Sequence, residues 1–148
     1  ADTSAVGLAQ GPIYIDSENM TAEEYEEINT QIKERLKSFE DPARNVNPIQ
    51  DVFEREEIYH GEFVDKAPDL VALDAPRYHN KGGIGEDQFF ADSYWKGNNA
   101  RDGLYAISGP SVGSGRIDAQ IYDLAPAILE LFDIEVPAAM DGTSPLNN

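Results

Sequence analysis

The stretch Leu70-Val71-Ala72-Leu73, led in by Ala67-Pro68-Asp69 and stopped at Asp74, limits most tightly how this chain folds. Apolar residues in unbroken succession leave no polar face, so the run suits neither a surface helix nor a half-exposed strand. It suits a strand covered on both faces, as parallel sheets provide. Two other short bursts have the same character. One is Pro12-Ile13-Tyr14-Ile15, closed by Asp16; the other is Gly103-Leu104-Tyr105-Ala106-Ile107, closed by Ser108-Gly109-Pro110. Ile49 to Glu54 alternates enough to add a strand, and Arg55 to Tyr59 adds a helical turn before the break at Gly61.

Two amphipathic stretches lie between these strands. Thr21-Ala22-Glu23-Glu24 has the pattern of a capping box, in which hydroxyl and carboxylate each bind the other's backbone amide. Behind it Tyr25, Ile28, Ile32, Leu36 and Phe39 recur at helical steps, predicting a helix of about five turns that ends at Asp41-Pro42. Tyr122 to Phe132 predicts a second helix, with Asp123 as N-cap, Pro126 in the first turn and a mostly apolar, buried surface. Strands alternating with helices argue for an α/β fold: a partial three-layer α/β/α sandwich with a mainly parallel sheet. At 148 residues the chain reads as a single domain, 1–148. Two helices are few to cover both faces of a complete doubly wound sheet, so the expectation is a piece of something larger. The opening Ala-Asp-Thr-Ser, without Met, reads the same way.

Charge narrows the partners. There are 28 acidic residues against 11 basic ones, a formal net charge of −17, and such a field repels nucleic acid. The acids are dispersed, as in proteins adapted to high salt, where screening removes most self-repulsion. That balance suggests a cytoplasmic protein of a halophilic, archaeal type. No apolar run approaches the length of a membrane span. Cysteine is absent, which removes disulfides, thiolate metal sites and a thiol nucleophile together.

Three stretches, read together, resemble the C-terminal region of the alkaline phosphatase superfamily, in its type I phosphodiesterase and nucleotide pyrophosphatase-like branch. The first is Gly11-Pro12-Ile13-Tyr14-Ile15-Asp16. The second is Arg55-Glu56-Glu57-Ile58-Tyr59-His60-Gly61-Glu62, followed by Ala67-Pro68-Asp69-Leu70. The third runs from Asp102-Gly103-Leu104 to Gly109-Pro110, then Ile121-Tyr122-Asp123-Leu124-Ala125-Pro126, Val136-Pro137 and Met140-Asp141-Gly142. The resemblance implies a phosphohydrolase or phosphodiesterase in which two metals, usually zinc, flank the transferred group, and a Ser or Thr hydroxyl attacks. It also implies that the nucleophile and most metal ligands precede the matched region, in the remainder of a parent chain. One ligand position falls within it, four residues before Gly103, where the family pattern has His and this sequence has Asn99. An amide oxygen is a poor zinc ligand beside an imidazole, though it can serve magnesium or calcium.

No other constellation carries chemistry of its own. His79, in Tyr78-His79-Asn80-Lys81-Gly82-Gly83, is the second metal candidate; His60 reads as a surface turn residue. Two distant histidines make no zinc site without further ligands. The Gly82–Gly85 run lacks the Lys-Ser/Thr ending of a phosphate loop, and the serines between Gly109 and Gly115 sit on no nucleophile elbow. Glu56-Glu57 and Asp87 with Asp92 could hold a hard cation loosely, but solvated acids are the better reading in so acidic a chain. The sequence therefore predicts the C-terminal fragment of a metal-dependent phosphohydrolase, inactive alone. The alternative is a stand-alone binding or assembly domain derived from that fold.

Overall fold

Thr21 starts the longest element. Its hydroxyl accepts from the Glu24 N–H at 3.2 Å while the Glu24 carboxylate accepts from the Thr21 N–H at 2.8 Å, so the predicted capping box is formed. The helix it opens, α1 (Ala22–Ser38), carries Glu23 and Glu24 in its first turn and Arg35 and Lys37 in its last, signs that suit the helix dipole. This computed structural model describes residues 5–82, 88–92, 94, 97, 99–110 and 112–147, and the chain divides into two compact units, Ala1–Asn99 and Ala100–Asn148.

The first unit is a four-stranded sheet with α1 on one face. Its strands are β1 (Ala5–Gly7), β2 (Pro12–Ile15), β3 (Ile49–Glu54) and β4 (Leu70–Asp74), in the order β1-β2-β4-β3. A one-turn helix, α2 (Arg55–Ile58), follows β3 directly. Ile49, Val52, Leu70 and Ala72 form the buried core, and Ile32 and Leu36 of the predicted α1 stripe pack against it with Ile13. Leu70 and Ala72 are buried while Val71 and Leu73, on the opposite face, are only half-buried, so the run is enclosed on one face and not on both as expected. Gly11 lets β2 approach β4: a Cβ there would stand 2.0 Å from the Ala72 carbonyl oxygen, and its φ of +103° excludes most other residues.

The sheet is antiparallel at every pairing, which corrects the expected mainly parallel sandwich. The strand–helix–strand order was sound: β2, α1 and β3 form a crossover between strands that run the same way. Those strands are not neighbours, however. β4 inserts between them and runs against both, so no parallel pair forms. The layering differs too, since α1 is the one substantial helix packed on this sheet among the described residues.

The second unit holds α3 (Leu124–Leu131), preceded by a 3-10 turn over Ile121–Asp123. The strand expected from Gly103 to Pro110 is absent. Residues 103–108 have no ladder partner and Leu104 is 97% exposed. An apolar burst becomes a strand only where another strand satisfies its backbone, and none pairs with this one among the described residues. Nor is α3 well buried: Pro126 and Ala127 are enclosed, whereas Ile128 and Phe132 stand exposed. No helix among the described residues is long and apolar enough to cross a membrane.

Candidate functional site

Two enclosed carboxylates tie the first unit together, and one of them is Asp69, just before β4 and only 6% exposed. The Ile15 N–H at the end of β2 donates to its Oδ2 at 2.7 Å. The Tyr25 hydroxyl, from the first turns of α1, donates to Oδ1 at 2.7 Å. Arg55, at the junction of β3 and α2, brings its guanidinium onto the same oxygen as an ion pair. Arg55 is itself fixed twice more: its Nε donates to the Ala67 carbonyl at 3.0 Å, and its backbone N–H donates to the Asp69 carbonyl at 3.0 Å. One carboxylate thus joins β2, α1, β3 and β4.

Burial and the hydrogen bond to Asp69 push the Tyr25 hydroxyl up to about 12, because the neutral phenol is the form that donates. An enclosed carboxylate that already accepts from three donors has no free face toward a substrate. Its chemistry is to bind the elements together, not to move protons.

A second carboxylate does similar work in the connection after α1. Asp41 is 1% exposed and accepts from the Tyr78 hydroxyl at 2.7 Å, Arg44 Nη1 at 2.8 Å and the Ala43 N–H at 2.8 Å. The Tyr78 hydroxyl, then Arg44, hold its carboxyl down at about 2. In the second unit Asp123 was expected to cap α3. Its side chain instead accepts from the Gln120 N–H at 2.7 Å and the Thr143 N–H at 2.9 Å, tying the helix start to the segment after Gly142. That segment sits so close that a Cβ on Gly142 would lie 2.2 Å from the Tyr122 carbonyl oxygen.

The two metal candidates are Asn99 and His79. Asn99 is exposed and lies in no regular element. His79 has about a third of its side chain exposed, and its Nδ1 stands 3.9 Å from Asp74 Oδ2, an oxygen that accepts from the Asn80 N–H at 3.0 Å. No group of three His, Cys, Asp or Glu side chains with metal-binding geometry occurs among the described residues. A neutral exposed amide and one imidazole beside one carboxylate do not fit a two-zinc centre. His60 lies exposed just beyond α2, as a turn residue should. Glu57 accepts from the Glu54 N–H and so belongs to the α2 start. Asp87 and the Gly83–Gly85 part of the glycine run lie outside the described residues.

Sequence reasoning passed over Asp69, Arg55 and Tyr25 as a group. The available signal was an acid set immediately before a fully apolar strand, a position that must find donors if it is buried. No known protein family, curated protein or solved structure matches this chain.

Proposed function

We propose that this chain is the C-terminal portion of a metal-dependent phosphohydrolase- or phosphodiesterase-like protein of the alkaline phosphatase superfamily. In this reading it is a framework for a catalytic centre whose nucleophile and metal ligands belong to the remainder of a parent chain. What supports it is the placement of the residues that carry the resemblance. Ile15 of the first stretch and Arg55 and Asp69 of the second meet at one carboxylate. Within the third stretch, Asp123 binds the segment after Gly142, and Gly142 packs on Tyr122. Contacts of this kind suit a framework more than a reaction.

The parent's metals, zinc or another divalent ion, would be held by the parent's other residues, since the described residues gather no group of three His, Cys, Asp or Glu. The partner is then the parent's own remaining chain. Exposed apolar side chains of the second unit, Leu104, Ile121 and Phe132, are what such a partner would cover. The alternative, a stand-alone binding or assembly domain, draws support from the first unit, whose antiparallel sheet and covering helix already enclose a core.

The test is hydrolysis of a nitrophenyl phosphodiester by the 148-residue chain with zinc, manganese or magnesium. No turnover above the metal-only blank is expected. Sustained metal-dependent turnover would overturn the framework reading.

A further inference from the structure

Phe39 ends the apolar stripe of α1 but takes extended backbone as the residue that caps the helix. Ile32 and Leu36 of that stripe pack on the sheet core, whereas the Phe39 ring packs on two rings from a later segment of the same unit. It stacks on Phe90 at 5.6 Å between centroids, with the planes 10° apart, and meets Phe89 at 6.1 Å and 65°. Phe90 in turn meets the Tyr78 ring at 6.4 Å and 69°. These are the offset and edge-on arrangements that aromatic quadrupoles favour.

The rings do not close on one another. Phe89 is 91% exposed, and with Phe39, Glu40, Pro42, Gln88 and Phe90 it lines an open groove of about 480 Å³. That volume falls within the range of small-molecule sites, about 300–1,000 Å³. Leaving a whole phenyl ring in water forgoes the burial that most aromatic side chains obtain, so the groove gains most when something covers Phe89.

Electrostatics select the charge of that occupant. Aromatic faces present the negative side of a quadrupole and attract cations. Glu40 adds an exposed carboxylate that pairs with no basic group among the described residues. The adjacent Asp41 is turned inward and paired with Arg44, so the charge at the groove is that of Glu40. The same cluster already holds one cation against a ring, since the Arg44 guanidinium lies 5.9 Å from the Tyr78 centroid. The net charge of −17 concentrates cations near the surface and repels anions. A metal ion or a bare ammonium would have to shed tightly held water against an apolar lining with one carboxylate. A quaternary ammonium spreads its charge over methyl groups and gives up far less.

We propose that the groove between Phe39 and Phe89 is a binding site for a small quaternary ammonium compound, with the methyl groups against the rings and Glu40 balancing the charge. Such a site is independent of any phosphodiester chemistry.

The experiment titrates the full chain with choline in ~0.1 M NaCl and follows phenylalanine ring and backbone resonances by NMR. Signals of Phe39, Glu40 and Phe89 shift saturably with a Kd of about 1–10 mM, and the choline methyl resonance moves upfield. The uncharged isostere, in which tert-butyl replaces trimethylammonium, binds at least ~5-fold more weakly, and ammonium chloride leaves the ring signals in place. Phe89→Leu, which keeps an apolar side chain but no ring, lowers choline affinity ~2–5-fold, and Glu40→Gln does the same. Both positions are exposed, so neither substitution threatens the fold. Absence of saturable shifts up to ~50 mM choline overturns the proposal. Equal binding of the isostere overturns it too, by making the groove a general apolar surface. Ammonium acting as well as choline, or Phe89→Leu binding choline unchanged, leaves only bulk attraction to an acidic protein and overturns it equally.

Discussion

Replacing Asp69 with Ala should destabilise the first unit by about 3–5 kcal/mol, the usual consequence of breaking a buried ion pair on one side only. The magnitude follows from what is left behind. Arg55, whose side chain is 19% exposed, keeps its charge in a place where water reaches it poorly. The Ile15 N–H and the Tyr25 hydroxyl lose their acceptor, at about 1–3 kcal/mol each where water cannot substitute. Partial hydration of the half-buried Tyr25 and small shifts of Arg55 keep the total below the plain sum. Against whole-protein stabilities of about 5–15 kcal/mol this is a large fraction. At about 2–4 °C per kcal/mol for a chain of this length, Tm falls by about 6–20 °C. Urea unfolding followed by circular dichroism, with amide protons of β2 and β4 reporting on the first unit, measures it. Asp69→Asn, which keeps the shape and one acceptor oxygen, should lose about 1.5–3 kcal/mol, and Tyr25→Phe about 0.5–1.5 kcal/mol. Alkali gives an independent reading of the same contact. The folded state holds the Tyr25 proton up to about 12 against an ordinary 10.0, so this contribution is intact below pH 10 and lost between pH 10 and 12. Tyr25→Phe should remove that part of the pH dependence. An Asp69→Ala variant within about 1 kcal/mol of the parent protein would refute the view that this carboxylate joins the four elements.

Three further outcomes follow from the other contacts. Asp41 is held at about 2 against an ordinary 3.8, so its contribution is present above pH 3.8 and lost as pH falls toward 2; Asp41→Asn should flatten stability over that window in acid titrations followed by circular dichroism. Gly142→Ala forces a methyl against the Tyr122 carbonyl and should destabilise the second unit by about 1–3 kcal/mol in thermal melts, whereas Gly103→Ala, in the same unit and with nothing within 4 Å of the added methyl, should be near neutral. Asn99→His should give no metal-dependent phosphodiester hydrolysis by this chain, because the added imidazole joins no group of three His, Cys, Asp or Glu among the described residues; a gain of turnover with zinc would refute the proposed framework reading.

Much of the first unit is legible in the sequence because its signals are local. The Thr21–Glu24 capping box, the spacing of Ile32 and Leu36, and the apolar run at Leu70 each specify an element within a few residues. Strand direction is not local. Nothing near β4 announces that it inserts between β2 and β3, since that depends on which pairing buries the most surface once α1 has crossed over. The burst at Leu104 shows the converse: composition suited a strand, but composition supplies no neighbour. The Asp69 cluster was hidden for the same reason. Its donors lie 54, 44 and 14 residues away along the chain, and each alone reads as part of its own element: Ile15 of a strand, Tyr25 of an apolar helix stripe, Arg55 of a helical turn. Asp41 read simply as a helix terminator, because Tyr78, which buries its carboxylate, is 37 residues further on.

The central claim is that this chain is a framework whose chemistry resides in the rest of a larger protein. Sequencing the reading frame that encodes it tests this most directly. The account predicts that, in frame and ahead of Ala1, there lies a Ser or Thr nucleophile together with an Asp-His metal-binding pair. A stop codon or an initiation codon immediately ahead of Ala1, with no such residues joined to the chain, would contradict it.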